Sequence, residues 1–253
     1  ESEKAQFTRA ARGVPQEFVG DSTQRGSMNW SARIPKEFRA SVTAIIGNVP
    51  PEECSQCPRL EWLQTWSAGV DKYQRPDVLQ HGSKLTNASG AYGQSVSEHM
   101  FAMMWALMKN LHVYAGNQAN ADWTDAGRAL SPSGMTALVI GTGDIGSHFA
   151  RLCKSVGMET IGVRRNPSVE AEGIDHTIGF ESLEQALPYA DVVAMSVPST
   201  PATHHLLNAD RLALLKPEAL VLNAGRGDAI DSEALAAALA EIGRASCRER
   251  VSF

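Results

Sequence analysis

A glycine-rich turn between two apolar runs, within residues 136–165, constrains the fold of this chain more than any other segment. The first run, 136–140, leads into Gly-Thr-Gly-Asp-Ile-Gly at 141–146, and a helix-like segment and a second apolar run follow. In this strand–turn–helix–strand order, the G-x-G-x-x-G pattern is typical of dinucleotide sites. The alternative is a glycine-rich turn that only allows close packing.

Each glycine of the turn has its own physical role in such a site. Gly141 permits the tight turn, Gly143 lets the backbone approach a pyrophosphate, and Gly146 lets the helix pack closely on the strand. The helix that follows directs its free N–H groups and its positive dipole end at the phosphates. We therefore predict a dinucleotide site at these three glycines.

The end of the second apolar run bears on the choice of coenzyme. NAD sites place a carboxylate there, where it accepts hydrogen bonds from the adenosine ribose. Here Arg164 and Arg165 directly follow the run 160–163. Two guanidinium groups at this place suit a 2′-phosphate. We expect NADP(H) to be preferred, with NAD(H) as the alternative coenzyme. The alternative is that one or both arginines are only solvated charges of a loop.

Composition excludes several classes of partner. The chain has 253 residues, of which 43% are hydrophobic, so it can bury one large core or two smaller ones. Its formal net charge of −5 argues against a nucleic-acid partner. The longest apolar run, 100–108, is too short to span a membrane.

The cysteine content indicates a reduced protein and a cytoplasmic location. Four cysteines in a chain of this length are not a disulfide framework. Cys54 and Cys57 form a lone C-x-x-C pair, which we interpret as a reduced loop pair. A redox or zinc site is the alternative, and we expect no metal.

The order of apolar and helix-like segments predicts an α/β fold. Apolar runs at 136–140, 160–163, 191–197 and 219–223 are separated by helical segments, which indicates a parallel sheet covered on both faces. Asn208 and Asp231 are candidate helix caps. Residues 95–98, Ser-Val-Ser-Glu, resemble a capping box before a long apolar helix at 99–114, which is a domain linker or a dimer interface.

Four ordered segments resemble one enzyme family. These are 61–71 (EWLQTWSAGVD), the region 86–99, 191–203 (DVVAMSVPSTPAT) and 221–231 (VLNAGRGDAID). Together with the glycine turn they resemble the NAD(P)-dependent D-isomer-specific 2-hydroxyacid dehydrogenases, of the glyoxylate/hydroxypyruvate reductase type. The resemblance implies a Rossmann doubly wound parallel sheet plus a partial flavodoxin-like substrate domain.

The same resemblance implies a domain division and an incomplete chain. Residues 1–94 would form part of the substrate-binding domain, and 95–240 the NAD(P)-binding Rossmann domain. Residues 241–253 resemble a translated sequencing adapter, and we expect them to be a non-native tail. The chain is then a fragment truncated at both ends.

Family positions also carry residue roles over to this sequence. Asp144 and Ile145 would lie at the pyrophosphate, and Arg164 in the slot that is acidic in NAD-preferring members. Arg226 would bind the 2-oxo acid and polarise its carbonyl, a role for which a planar guanidinium is well suited. The other implied positions are the substrate-carboxylate loop Ala68, Gly69 and Val70, the adenosine and ribose side at Val197, Pro198 and Thr203, and the nicotinamide side at Ala224 and Gly225.

The implied activity is reversible hydride transfer between NAD(P)H and a small 2-oxo or 2-hydroxy acid, in a homodimer. The family's Glu and His, which act as the proton donor, follow the arginine at positions that this chain does not fill. We therefore expect the chain as written to be inactive. The alternatives are a non-enzymatic, NAD(P)-sensing protein of the corepressor type, and a formate-type dehydrogenase.

Overall fold

A computed structural model describes residues 2–20, 32–242 and 246–247, and the chain divides into two compact units. Unit 1 ends at Ala88 and unit 2 begins at Ser89. The expected domain boundary after residue 94 stays a prediction.

Unit 1 contains a small parallel sheet. Its strands β1 (Ala44–Ile46), β2 (Trp62–Gln64) and β3 (Lys84–Thr86) are hydrogen-bonded in the order β1-β2-β3. Successive side chains of a strand point to opposite faces, so Leu63 is buried while its neighbour Trp62 is exposed. The described part of this unit also contains the α-helices α1 (Glu3–Ala10) and α2 (Pro51–Cys54).

Unit 2 is built on a larger sheet whose paired strands are all parallel. The order is β6-β5-β4-β7-β8-β9, so the chain winds outward in both directions from β4. The strands are β4 (Thr136–Ile140), β5 (Glu159–Val163), β6 (His176–Ile178), β7 (Val192–Met195), β8 (Leu220–Asn223) and β9 (Ser246–Cys247).

Helices cover both faces of this sheet. Leu138 and Ile140 of β4 belong to one buried cluster, whereas Ala137 and Val139 belong to another on the opposite face. The predicted α/β class and doubly wound parallel sheet are therefore confirmed. The helices of unit 2 are α3 (Gly93–Met108), α4 (Leu111–Ala119), α5 (Asp144–Ser155), α6 (Leu183–Ala186), α7 (Ala209–Ala213) and α8 (Ser232–Ile242).

The predicted helix at 99–114 is wrong in its bounds, and so is its capping box. Helix α3 already begins at Gly93, with Tyr92 at the N-cap, so Ser95 lies within the helix. Glu98 accepts a hydrogen bond from Gln94 Nε2 at 2.9 Å instead of reaching back to a cap. A break after Met108 separates α3 from α4, because Asn110 adopts a left-handed φ of 54°.

The two other predicted caps are confirmed. Asn208 Oδ1 accepts from Arg211 N at 3.0 Å at the start of α7. Asp231 Oδ1 accepts from Ala234 N at 3.1 Å at the start of α8. No described helix is both long and apolar enough to cross a bilayer.

The expected tail, 241–253, is described only in part. Helix α8 extends to Ile242, and the two residues of β9 pair with Val221 and Leu222 of β8. Residues 243–245 and 248–253 lie outside the described residues, so the prediction of a non-native tail stays a prediction.

Candidate coenzyme and substrate site

Packing requires glycine at two positions of the turn after β4. Gly141 has a φ of 93°, and a Cβ there would lie 3.0 Å from Ser196 O. A Cβ at Gly146 would overlap the carbonyl group of Gly141, whose carbon would lie only 3.0 Å away. The turn can therefore close onto α5 only with hydrogen in place of both side chains.

Gly143 differs from these two because it faces open space. It is exposed, it is the N-cap of α5, and no atom lies within 4 Å of a Cβ built on it. Its N-cap position carries no side-chain hydrogen bond, so the first-turn N–H groups of α5 receive no acceptor from the cap. This arrangement fits a diphosphate, which accepts from such groups and would occupy the space that a side chain would fill.

Three of the loops that the sequence assigned to the coenzyme meet at the carboxyl ends of β4, β7 and β8. Val197 follows β7, and its Cγ1 would lie 3.1 Å from a Cβ on Gly141. A Cβ on Gly225, after β8, would lie 2.7 Å from Val197 O. Ser196 Oγ also donates to Gly141 O at 2.8 Å, which ties the turn to the loop after β7. Crevices at this edge are where doubly wound sheets bind ligands.

The loop that carries Arg226 is shaped by Asn223, a residue that the sequence did not single out. Asn223 Nδ2 donates to Arg226 O at 3.0 Å, and Asn223 Oδ1 accepts from Gly225 N at 2.9 Å. Ala224 N donates to Met195 O at 3.0 Å and joins the loop to β7. An asparagine at the end of an apolar strand, two residues before a glycine, is the sequence signal for such an Asx turn.

Thr203 stabilises the loop after β7 through hydrogen bonds within that loop. It is buried, its Oγ1 donates to Pro198 O at 2.6 Å, and Thr200 N donates to Thr203 Oγ1 at 2.9 Å. Ser199 Oγ donates to Asp228, which joins this loop to the Arg226 loop. Pro198 is exposed, and the contacts of Pro198 and Thr203 with the adenosine side stay predictions.

The two arginines after β5 occupy different environments. Arg164 Nη1 donates to the carbonyl oxygens of Val169 at 2.8 Å and Glu170 at 3.2 Å, so its guanidinium ties the loop 164–170 together. Arg165 is exposed and makes no hydrogen bond or ion pair with the part of the chain that the structure describes. Arg165 is therefore the cation of the pair with all its donors available to a ligand.

The substrate-loop residues belong to unit 1, where the chain turns after β2. Their carbonyl groups are engaged, since Asn87 Nδ2 donates to Ala68 O at 2.7 Å and Ser67 Oγ donates to Gly69 O at 3.0 Å. The backbone N–H groups of Ala68, Gly69 and Val70 donate to no acceptor among the described residues. Successive amides of this kind can bind an anion.

The C-x-x-C pair lies in the core of unit 1 rather than in an open loop. Cys54 and Cys57 are unbridged and buried. Burial, with smaller contributions from Cys57 and Glu53, raises the pKa of the Cys54 thiol to about 12. Such a thiol stays protonated at neutral pH and is a poor nucleophile or metal ligand. Across the described ranges, no three His, Cys, Asp or Glu residues are grouped as a metal site would need.

Comparison with known protein families decides the assignment. Residues 101–246 match the family model for the D-isomer specific 2-hydroxyacid dehydrogenase, NAD binding domain. The chain belongs to this family.

Similar members of the D-2-hydroxyacid dehydrogenase family include a glyoxylate reductase of Pyrococcus furiosus. It is 29% identical over 216 residues, which cover 81% of this chain and 63% of that protein. A D-lactate dehydrogenase of Treponema pallidum is 30% identical over 179 residues, covering 70% of this chain and 53% of the relative. The chain thus spans less than two thirds of the length of these relatives.

Two solved structures of family members share the fold. A D-isomer specific 2-hydroxyacid dehydrogenase family protein from Aeromonas salmonicida superposes with a TM-score of 0.78 at 27% identity, covering 98% of this chain and 78% of that one. The D-lactate dehydrogenase of Aquifex aeolicus, in complex with NAD and lactic acid, gives a TM-score of 0.70 at 28% identity, covering 83% of this chain and 64% of that one.

Proposed function

We propose that the protein transfers a hydride reversibly between NAD(P)H and C2 of a small 2-oxo acid, to give the D-2-hydroxy acid. One observation carries the proposal: the domain that matches the family model presents Gly143 and the uncapped start of α5 to open space. The nicotinamide coenzyme supplies the hydride when it is bound there.

Different residues are proposed for the substrate carboxylate, for the substrate carbonyl and for the coenzyme. The N–H groups of Ala68, Gly69 and Val70 would bind the substrate carboxylate, which is supported by their lack of acceptors within the described chain. Arg226 would contact the substrate and polarise its carbonyl, while Asn223 holds the Arg226 loop in shape. Ala224 and Gly225 would lie beside the nicotinamide.

We propose NADP(H) as the preferred coenzyme, with Arg165 as the contact to the 2′-phosphate. This proposal is supported by the exposure of Arg165 and by the absence of a carboxylate at the end of β5. Arg164 would act through the loop, because its guanidinium is already bonded to the carbonyls of Val169 and Glu170.

We propose that this chain reduces 2-oxo acids slowly or not at all. Reduction of the carbonyl requires a proton donor as well as a hydride. His204 and His205 are unsuited to that role, because their rings stack 4.0 Å apart and His205 Nδ1 lies 3.7 Å from Asp231. His148 is engaged with Asp144. The resemblance implies a Glu–His pair as the acid, and a chain without that pair would lose general acid catalysis but keep coenzyme binding.

We propose a homodimer formed through the second half of the predicted 99–114 segment and the residues that follow it. Met100, Met104 and Met108 of α3 are buried within unit 2, so they are not free to bind a partner. A second copy of the chain would instead cover the apolar side chains that follow, which are exposed: Leu111 at 52%, Val113 at 39%, Tyr114 at 40% and Trp123 at 101%.

We also propose that the protein works in a reducing, cytoplasmic environment. The proposal is supported by Cys54, Cys57 and Cys153, which are all unbridged and buried. Burial also raises the pKa of Cys153 to about 12, so this thiol too resists oxidation.

The test of the proposed activity is a substrate panel. NADPH and NADH oxidation would be followed with glyoxylate, hydroxypyruvate and pyruvate, using this chain and the longest open reading frame that contains it. We expect the longer protein to reduce at least one 2-oxo acid with D-stereochemistry, and this chain to bind coenzyme with little turnover. If the longer protein binds coenzyme without turnover, the result would favour a non-enzymatic protein of the corepressor type. If it oxidises formate, the result would favour a formate-type dehydrogenase.

A further inference from the structure

Asp144 is the first residue of α5, yet its side chain is directed at another helix. A Cβ built on Gly93, the first residue of α3, would overlap the Asp144 carboxylate, with Oδ2 only 2.6 Å away. The carboxylate therefore lies directly against the first turn of α3. One turn further along α5, His148 Nδ1 lies 3.5 Å from Asp144 Oδ1 and 2.8 Å from Asp144 O.

The first turn of α3 has no anionic partner of its own. Its N-cap, Tyr92, makes no side-chain capping bond, and no acidic residue stands in the first turn. A helix N-terminus carries a partial positive charge and is stabilised by a nearby carboxylate. Helices α3 and α5 are also packed together, with the rings of Phe101 and Phe149 edge to face at 6.5 Å. The Asp144 carboxylate, although it belongs to α5, can thus stabilise the N-terminus of α3.

The same carboxylate stands beside the predicted diphosphate position. The N–H groups of the first turn of α5 would receive two further negative charges when coenzyme binds. Like charges that share a partly desolvated site repel one another. The contacts with Gly93 and His148 hold the carboxylate against α3, but they leave its charge in place.

We propose that Asp144 is a positioning residue that completes the N-terminus of α3 at the expense of coenzyme affinity. This inference rests on the proposed binding of the coenzyme diphosphate at α5. Its side chain does not contact the coenzyme; only the backbone N–H groups of this turn do. The chain therefore binds NAD(P)H less tightly than its glycine turn alone would allow.

The experiment compares the full chain with Asp144→Asn, and uses Asp210→Asn as a matched control. Asp210 is likewise an acidic residue in a first helical turn, but it belongs to α7. Coenzyme affinity would be measured by NADPH titration at low and high salt, and backbone exchange at residues 96–98 by hydrogen exchange without coenzyme.

We expect Asp144→Asn to tighten NADPH binding about three- to tenfold at low salt, and less at high salt, because a repulsive charge is removed. Exchange at 96–98 should become faster, because α3 loses its anionic partner. Asp210→Asn should change neither quantity. Weaker or unchanged binding by Asp144→Asn would overturn the inference, as would unchanged exchange in α3. Failure of the unsubstituted chain to bind NADPH would instead overturn the proposed function.

Discussion

At the residue scale, Gly143 and Gly146 lie three positions apart in one turn, yet a side chain would have opposite consequences at the two positions. At Gly146 it would overlap the carbonyl group of Gly141, whereas at Gly143 it would enter open space at the start of α5. The glycine that matters for packing and the one that matters for the ligand are therefore different residues. This difference provides a matched pair of substitutions.

Gly146→Ser should destabilise the fold, and Gly143→Ser should not. Overpacking at Gly146 is expected to lower the free energy of unfolding by about 1–3 kcal/mol. Serine is a favourable N-cap residue, so Gly143→Ser should change that free energy by no more than about 0.5 kcal/mol. Urea denaturation measures both changes in the free energy of unfolding. NADPH titration should show at least about tenfold weaker binding for Gly143→Ser, because the serine side chain would occupy the space proposed for the diphosphate. Equal stability of the two variants would contradict the geometry.

Asp175 predicts a dependence of stability on pH. Its carboxylate accepts from Lys154 and from Thr160 Oγ1 at 2.8 Å, and these bonds lower its pKa. A carboxylate with a lowered folded pKa stabilises the fold above its unfolded pKa, about 3.9, and this stabilisation is lost as pH falls through the folded pKa. Asp175→Asn should therefore lower the free energy of unfolding at pH 7, with a shrinking difference from the parent below about pH 4. A difference that stayed constant down to the acid transition would argue against the assignment.

At the element scale, the strongly apolar strands could be predicted from the sequence, and the breaks between elements could not. The runs that became β4, β5, β7 and β8 are apolar on both faces, which is the local signature of a central parallel strand. Strand β6 was not predicted, because it lies at the edge of the described sheet and carries polar residues. The break at Asn110 depends on a left-handed backbone conformation that the apolar pattern did not indicate.

In the candidate site, too, some features could be predicted from the sequence and others could not. The glycine turn is local in sequence, so its order and spacing indicated where α5 would begin. Asn223 and Ser196 act through hydrogen bonds to other residues, and Ser196 reaches Gly141 across 55 positions of the chain. Partners that meet only after the sheet has formed leave no local pattern to recognise.

The loop after β5 predicts a separation of roles between its two arginines. Arg165→Gln should weaken NADPH binding about tenfold and leave NADH binding unchanged, because only the 2′-phosphate loses a charged partner. Arg164→Gln should weaken the binding of both coenzymes, because the loop 164–170 loses its internal bonds. Dissociation constants for the two coenzymes provide the measurement, with the exposed Arg75→Gln of unit 1 as control. Loss of NADPH preference in Arg164→Gln alone would reverse the assignment.

At the scale of the whole molecule, the residues proposed for the substrate and those proposed for the coenzyme belong to different units. Unit 1 carries the amide loop 68–70, and unit 2 carries the glycine turn and Arg226. The coenzyme half can therefore be tested by binding alone, without a complete set of catalytic groups.

The exposed apolar side chains of Leu111, Val113, Tyr114 and Trp123 predict an assembly. The chain should sediment as a dimer, and Trp123→Ser should shift it towards the monomer because the most exposed aromatic residue of this surface is removed. Trp62→Ser is the matched control, since Trp62 is a partly exposed tryptophan of unit 1. Sedimentation velocity across a range of concentrations provides the measurement. A dimer that survives Trp123→Ser unchanged, or a chain that is monomeric throughout, would contradict the proposed surface.

Calorimetric titration of the folded chain with NADPH, and then with NADH, is the decisive measurement for the proposed coenzyme site. We predict saturable binding of one coenzyme per chain, tighter for NADPH, and strongly weakened in Gly143→Ser. Absence of binding by both coenzymes, in a chain whose unfolding is cooperative, would show that the glycine turn does not form a dinucleotide site.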